Sequence, residues 1–363
     1  MIYLAVFFVF FFALRFAVVV VNILFSPVLK KQKQHDSPKV SLLIPARNEE
    51  KNISNILKDI QSLTYPNLEV VVFDDESTDK TREIVKAFSA KDNRIGLLES
   101  PGLPEGWLGK NNACHILAQS ARGDYFLFLD SDVRLRPGIL ESALAQMQKH
   151  NLKLLSIFPK QIMKTNGEKM IVPLMNSILL SLLPLILTRT NQRPSLAAAN
   201  GQFMLFERKT YLQIQPHKRV KNLLVEDILI ARLYKTQKLK MQCMTGNETI
   251  SCRMYQGYHD ALKGLARSVV EFFGGSHLVA FFYWVSGTLG IFFIAFFLPP
   301  VFTFASLAVI LATKAGSSYL SRQPIIQNLW LALPQQLLLG RIVIESYRNK
   351  KNNKFRWKGR NIG

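Results

Sequence analysis

Apolar and polar residues alternate along this chain in two distinct rhythms. Residues 2–25 are apolar except for Arg15 and Asn22, and at about 1.5 Å per residue a helix of that length spans a bilayer. No basic start and no small-residue cleavage site mark it as a signal, so 1–29 reads as a retained anchor. A cation at mid-bilayer costs about 2.5–3.5 kcal/mol, which leads us to expect Arg15 to face another helix or a lipid headgroup. From Lys39 the rhythm shortens. Apolar strands are expected at 40–44, closed by Pro45, and at 68–73, 95–98, 123–129 and 204–206. Ile53, Ile56, Leu57 and Ile60 recur at helical spacing, and a further helix follows Thr78. This alternation predicts an α/β class with a mostly parallel sheet covered on both faces, and ligands bound beyond the carboxyl ends of its strands.

Longer apolar runs then return. Residues 170–187 carry Pro173, Asn176 and Pro184 and fall inside the α/β region. They are either an interfacial segment, over 168–189, that leads a lipid toward the crevice, or a core helix with two kinks. Residues 278–298 form a spanning segment, Pro299 and Pro300 break it, and 301–320 returns. A last apolar stretch, 325–344, contains Pro334, Gln335, Gln336 and Arg341. Four full spans, one at 1–29 and three over 276–346, would place the basic tail, 347–363, outside with the N-terminus. Cations mark the cytoplasmic side, so the last stretch is expected to be interfacial or re-entrant, with the α/β region 38–275 and the tail in the cytoplasm.

Charge sharpens this picture. There are 46 Lys and Arg against 25 Asp and Glu, a net charge of +21, in a chain that is 48% hydrophobic with 25 Phe. Many cations flank apolar segments: Lys30, Lys31 and Lys33 follow the first, and Lys350, Lys351, Lys354, Arg356, Lys358 and Arg360 follow the last. Each gains about 1 kcal/mol near an anionic leaflet, so the expected partner is a lipid bilayer and not nucleic acid. Cys114, Cys243 and Cys252 lack paired spacing, which gives no disulfide framework or zinc site, and the six histidines lack metal-ligand spacing.

Three polar clusters sit where strands should end: Pro45-Ala46-Arg47-Asn48-Glu49, Asp74-Asp75 and Asp130-Ser131-Asp132. One crevice can collect them all. Asp130 and Asp132, one residue apart, can project to the same side as a buried strand ends. A hard divalent ion, Mg²⁺ or Mn²⁺, takes carboxylates together with substrate phosphates. Otherwise they are solvated turn acids.

These residues carry a family resemblance. Ser41-Leu-Leu-Ile-Pro-Ala-Arg-Asn-Glu49, Asp74-Asp75-Glu-Ser-Thr-Asp79 and Asp130-Ser-Asp132 resemble, in order and spacing, a family 2 glycosyltransferase with the nucleotide-sugar-binding, Rossmann-like GT-A fold, over roughly 40–275. Gly106-Trp-Leu-Gly-Lys-Asn-Asn-Ala113, Val225-Glu-Asp227 and Trp357-Lys-Gly-Arg360 are similar to membrane members that glycosylate carotenoid, hopanoid or sphingoid lipids. The resemblance implies an inverting hexosyltransferase that uses a UDP-sugar donor and a membrane-lipid acceptor. It places Asp75 on the uracil ring, with Asp74 beside it and Pro45, Arg47 and Glu49 lining the nucleoside pocket. Lys110 would reach the diphosphate or the sugar, Asp132 would bind the metal, and Asp130 would support the metal or the ribose. Asp227, next to Glu226, would be the general base.

Each role has a plain counterpart. Acids after a strand also cap helices, a lysine at a helix start is usually solvated, and acids at a helix N-terminus complement its dipole. Gly201 either allows close approach of backbone to sugar or permits a turn. Arg267 either holds the leaving diphosphate or lies on a helix surface. It stands near where polysaccharide synthases carry Gln/Arg-x-x-Arg-Trp, but no Trp follows it, so single transfer is expected over processive synthesis. A catalytically inactive membrane scaffold that binds nucleotide or lipid is the remaining alternative.

Overall fold

The computed structural model describes residues 1–32 and 36–351, with backbone alone at 356–357 and 360–361. Ten strands build the catalytic region: β1 Val40–Ala46, β2 Leu68–Asp74, β3 Ile95–Glu99, β4 Tyr125–Leu129, β5 Val133–Leu135, β6 Leu154–Phe158, β7 Lys160–Gln161, β8 Phe203–Glu207, β9 Met241–Thr245 and β10 Ile250–Cys252. Seven form one sheet in the order β3-β2-β1-β4-β8-β6-β9, and β5, β10 and β7 form a second. Only β8 runs antiparallel to its neighbours in the larger sheet. The strands are near-continuous apolar runs because both faces are covered. Leu42 and Ile44 enter one core with Val70, Val72 and Leu127, while Leu43, Phe73, Phe126 and Phe128 enter the other.

Register carries the polar clusters to one edge. β1 and β2 pair from Val40↔Leu68 to Ala46↔Asp74, so the residues after each strand emerge side by side. Pro45 lies within β1 and does not end it. β4 pairs only with 40–43, and beyond that ladder a missing N–H costs nothing on that side. Because β8 is antiparallel to β4, with Leu129↔Phe203, the turn before β8 lies next to the acids that follow β4.

Among the described residues three helices are long and apolar enough to cross a membrane: Ile2–Phe25, His277–Phe297 and Pro300–Leu320. They pack closely at glycines. A Cβ on Gly290 would meet Phe8 at 3.0 Å, and one on Gly316 would meet Val19 at 2.5 Å. Arg15 faces other helices, as expected from its cost in lipid. It donates to Ser181 Oγ at 3.3 Å and lies 4.8 Å from the centre of the Tyr283 ring. The stretch 325–344 breaks into helices Ile325–Trp330 and Ala332–Lys351. The second turns Gln335, Leu339, Ile342 and Val343 inward while Leu333, Leu337 and Tyr347 stay exposed.

The apolar stretch that begins at 170 is a helix, Asn166–Leu182, with Pro173 inside it. It is buried between the catalytic sheet and the apolar helices. Asn22 ties the first helix to its end, donating to the carbonyls of Leu180 and Leu183 at 2.9 Å and accepting from Leu185 N–H at 2.7 Å. The linker then joins the sheet edge: Leu29 N–H donates to the Thr245 carbonyl at 2.9 Å. Lys33, Lys354 and Lys358 lie outside the described residues. The side chains of the tail residues at 357–360 also lie outside the described residues.

Candidate active site

Three elements converge on one lysine. Helix Gly109–Ser120 carries Lys110 in its first turn, β4 delivers Asp130 just past its end, and helix Glu226–Thr236 starts with Glu226 and Asp227. Lys110 Nζ lies 2.8 Å from Asp130 Oδ1 and 2.9 Å from Glu226 Oε1. Burial alone would lower the lysine, but the two carboxylates hold it well above its ordinary range. Burial raises Asp130, whereas Lys110 outweighs burial at Glu226 and keeps that acid low. Asp227 accepts Gly201 N–H at 2.9 Å and Ile228 N–H at 2.8 Å. Burial first, then the charge of Glu226, pushes Asp227 up to about 7. A carboxylate poised near neutrality, with lone pairs to spare, is suited to taking a proton.

Local backbone serves this cluster. Val225, before the helix, adopts φ 57°, a conformation that a β-branched residue tolerates only where its surroundings enforce it. Gly201 has no left-handed φ; its need is space. A Cβ there would lie 3.0 Å from Lys110 Nζ and 3.2 Å from Glu226 Oε1, so this turn glycine lets the backbone before β8 lie against the lysine and its acid. Asn111 donates to the Val220 and Leu223 carbonyls at 2.7 and 3.1 Å, fixing the loop that leads into Val225.

The cluster closes one end of a chamber of about 630 Å³. Lys110, Asp130, Gly201, Glu226, Asp227 and Arg267 all line it. Met175, Ile178, Leu179 and Leu182 of helix Asn166–Leu182, with Leu224 and Phe272, give it an apolar wall, and the Arg232–Glu271 ion pair also lines it.

Residues 41–214 match the family model described as Glycosyl transferase family 2. The chain carries a family 2 glycosyltransferase domain. Curated relatives include the 4,4'-diaponeurosporenoate glycosyltransferase of Staphylococcus haemolyticus (strain JCSC1435), 26% identical over 65% of this chain and 62% of its own length. The protein of the same name from Staphylococcus aureus (strain USA300) is 28% identical over 69% and 66%. This chain thus spans a little under two thirds of the length of either. Among solved structures, a mannosyltransferase from Pyrobaculum calidifontis in complex with GDP-Man and Mn²⁺ aligns over 98% of this chain and 99% of its own, with a TM-score of 0.57 at 18% identity. That likeness establishes the GT-A fold.

The remaining candidate residues divide between two places. β4 stops at Leu129 and the chain turns, so Asp130 and Asp132 do not project to one side as an extended strand would place them. Asp130 faces the chamber, and Asp132 lines a second, polar cavity of about 450 Å³ with Asn52, Asp59 and Arg253. Burial, then Asp130 and Glu49, pushes Asp132 up to about 7. Its Oδ1 is buried with no hydrogen-bond partner among the described residues. An orphaned carboxylate oxygen beside a second acid fits a hard divalent cation. Among the described residues no three His, Cys, Asp or Glu converge, so the further ligands would be phosphate oxygens and water.

Pro45, Arg47, Glu49, Asp74 and Asp75 stand at the ends of β1 and β2 and line neither cavity. The Arg47 guanidinium donates to the Asp75 carbonyl, and Asp75 N–H donates to the Ala46 carbonyl at 2.8 Å. The Asp74 carboxylate pairs with Arg82 at 3.1 Å. Glu49 N–H donates to Thr81 Oγ1 at 2.7 Å.

Sequence reading missed the brace behind the apolar wall. Glu168, fully buried, pairs with Arg253 at 2.8 Å and accepts N–H bonds from Lys164 and Gly257 at 2.7 and 2.9 Å. These partners outweigh burial and hold it down to about 2. Its one available signal was Thr165-x-x-Glu168, a capping box that opens an apolar run.

Proposed function

We propose that this glycosyltransferase moves one sugar from a UDP-sugar to an apolar membrane lipid of polyisoprenoid, carotenoid, hopanoid or sphingoid type, inverting the anomeric carbon. The observation that carries this reading is that one chamber is lined both by a lysine between carboxylates and by the aliphatic side chains of helix Asn166–Leu182. An apolar acceptor tail lies against Met175, Ile178 and Leu179 while its hydroxyl approaches Asp227. The names of the Staphylococcus relatives support an apolar tail of this kind, although they specify a carboxylate in place of the hydroxyl.

In this reading Asp227 takes the hydroxyl proton as the acceptor oxygen bonds to C1, and the bond from C1 to the phosphate oxygen breaks on the opposite face. UDP leaves with both electrons of that bond. Lys110 places positive charge where the diphosphate becomes more negative, which stabilises the transition state more than the ground state. Glu226 keeps Lys110 charged and in position, and Arg267 adds a second cation to the same chamber. Asp132 with Asp130 would hold Mg²⁺ or Mn²⁺, which when bound supplies Lewis-acid stabilisation of the departing diphosphate. Pro45, Arg47 and Glu49 border the nucleoside, and Asp75 accepts the uracil N–H, with Asp74 supporting it through Arg82.

The same reading divides the chain into an anchor at 1–29, a cytoplasmic catalytic domain at 38–275, membrane helices over 276–346 and a basic tail at 347–363. Helix Asn166–Leu182 forms the lipid's route from the inner leaflet. The test is to incubate membranes containing the protein with labelled UDP-sugars and weigh the lipid extract. A lipid heavier by one sugar is expected. Release of free sugar without a labelled lipid, or a polymeric product, would overturn the proposal.

A further inference from the structure

Two cations sit within the apolar bundle, away from the chamber's polar end, with no anion to meet them. Arg15 and Lys314 are both half-buried. Lys314 stands two residues before Gly316, whose Cβ would meet Val19 at 2.5 Å, one helical turn on from Arg15, so the two cations occupy neighbouring levels of packed helices. Arg15 has Ser181 Oγ and the Tyr283 ring, both neutral, and among the described residues neither cation forms an ion pair. The helices Ile2–Phe25, His277–Phe297 and Pro300–Leu320 contain no Asp or Glu at all. Helix Asn166–Leu182 has one acid, Glu168, which is committed to Arg253. Like charges gathered in a low-dielectric bundle repel, and intramembrane cations pair with another group or reach for the interface.

Depth indicates what that group is. Arg15 starts ten residues before the end of its helix, but its guanidinium reaches the ring of Tyr283, six residues into a neighbouring helix, and Lys314 lies six residues before the end of its own. Tyr283 and Lys314 are each about 9 Å from the end nearer the catalytic region. Long basic side chains at that depth extend toward headgroup phosphates. Two cations with no acid also select against a zwitterionic headgroup, which would add a third positive charge.

We propose that Arg15 and Lys314 bind the phosphate of an anionic phospholipid, enclosed by the helices that carry Arg15, Ser181, Tyr283 and Lys314. The lipid neutralises the pair and locks helix Asn166–Leu182 against the bundle. Ser181 is on that helix, whose Ile178, Leu179 and Leu182 line the chamber. The site rests on the membrane placement of these helices and not on the identity of donor or acceptor.

The test uses the full-length protein in nanodiscs of phosphatidylcholine, with and without phosphatidylglycerol, washed in about 1 M salt, where exposed basic surface is screened to roughly 3 Å. The wild type should retain about one phosphatidylglycerol per chain through delipidation, read by native mass spectrometry. Its Tm should be higher with that lipid than without it, at low and high salt alike. Arg15→Gln/Lys314→Gln should lose both the retained lipid and the Tm difference, and Arg15→Lys should keep them. A double variant that retains the lipid would overturn the proposal. If that variant fails to fold, the wild type decides alone: a Tm effect abolished by salt assigns the lipid to the exposed basic surface and overturns the site.

Discussion

Asp227→Asn removes a charge while conserving shape, and the site lets its effect be worked out in advance. In the wild type the two carboxylate oxygens each accept a backbone N–H, from Gly201 and from Ile228. Asparagine offers one acceptor oxygen and turns an NH₂ toward the other donor, which costs about 1–3 kcal/mol of stability. The rate should fall further, because loss of a positioned general base costs about 10²–10⁴-fold, or roughly 3–5 kcal/mol in the barrier. A base must be ionised to act, and burial with Glu226 raises Asp227 to about 7. The wild-type kcat/KM should therefore fall about tenfold per pH unit below about 7 and level off above it. The variant should lose that limb. Initial rates of lipid glycosylation across this pH range, with a thermal melt at each pH, separate the two effects. A variant within about threefold of wild type on a hydroxyl acceptor would refute the assignment of the base. If full activity accompanies an alkali-labile ester product, the acceptor is a carboxylic acid and needs no base.

Lys110→Met should strand Asp130 and Glu226 against each other. The expected destabilisation is about 3–5 kcal/mol at most, because each side chain keeps partial exposure, and the Tm of the variant checks it. Asp132→Asn should abolish Mn²⁺ binding in an EPR titration yet leave the metal-free Tm unchanged or raised, since an orphaned buried carboxylate oxygen is costly to leave unmatched. Retained Mn²⁺ affinity would place the cation elsewhere. Glu168 is depressed to about 2 by Arg253 and by N–H donors, so it contributes roughly 3 kcal/mol of stability that is complete above its unfolded pKa of about 4.5 and lost as pH falls toward 2. Glu168→Gln should flatten that acid limb of the Tm profile, and an unchanged limb would contradict the pairing.

How much of this was legible beforehand follows from what each element depends on. Runs such as 40–44 and 68–73 announce buried parallel strands because both faces must be apolar, and the acids after them stand out against that background. The short strands of the second sheet, β5, β7 and β10, gave no comparable run. They form because Asp130-Ser131-Asp132 turns the chain back, and the same turn lets two neighbouring carboxylates line different cavities. Lys110 could be singled out, but its bridge between Asp130 and Glu226 joins positions 20 and 116 residues away along the chain and exists only after folding. Helix Asn166–Leu182 reads equally as surface or core from composition. Its burial is decided by Asn22 and Glu168, polar residues whose partners lie far off in sequence.

The account rests on sugar and lipid meeting in one chamber, and a structure of the protein with UDP and a hydroxyl-bearing lipid acceptor tests that most directly. Density for the lipid tail along Met175, Ile178 and Leu179, with its hydroxyl within hydrogen-bond reach of Asp227, is the predicted result. A tail bound on another surface, with Asp227 facing only water, would contradict it.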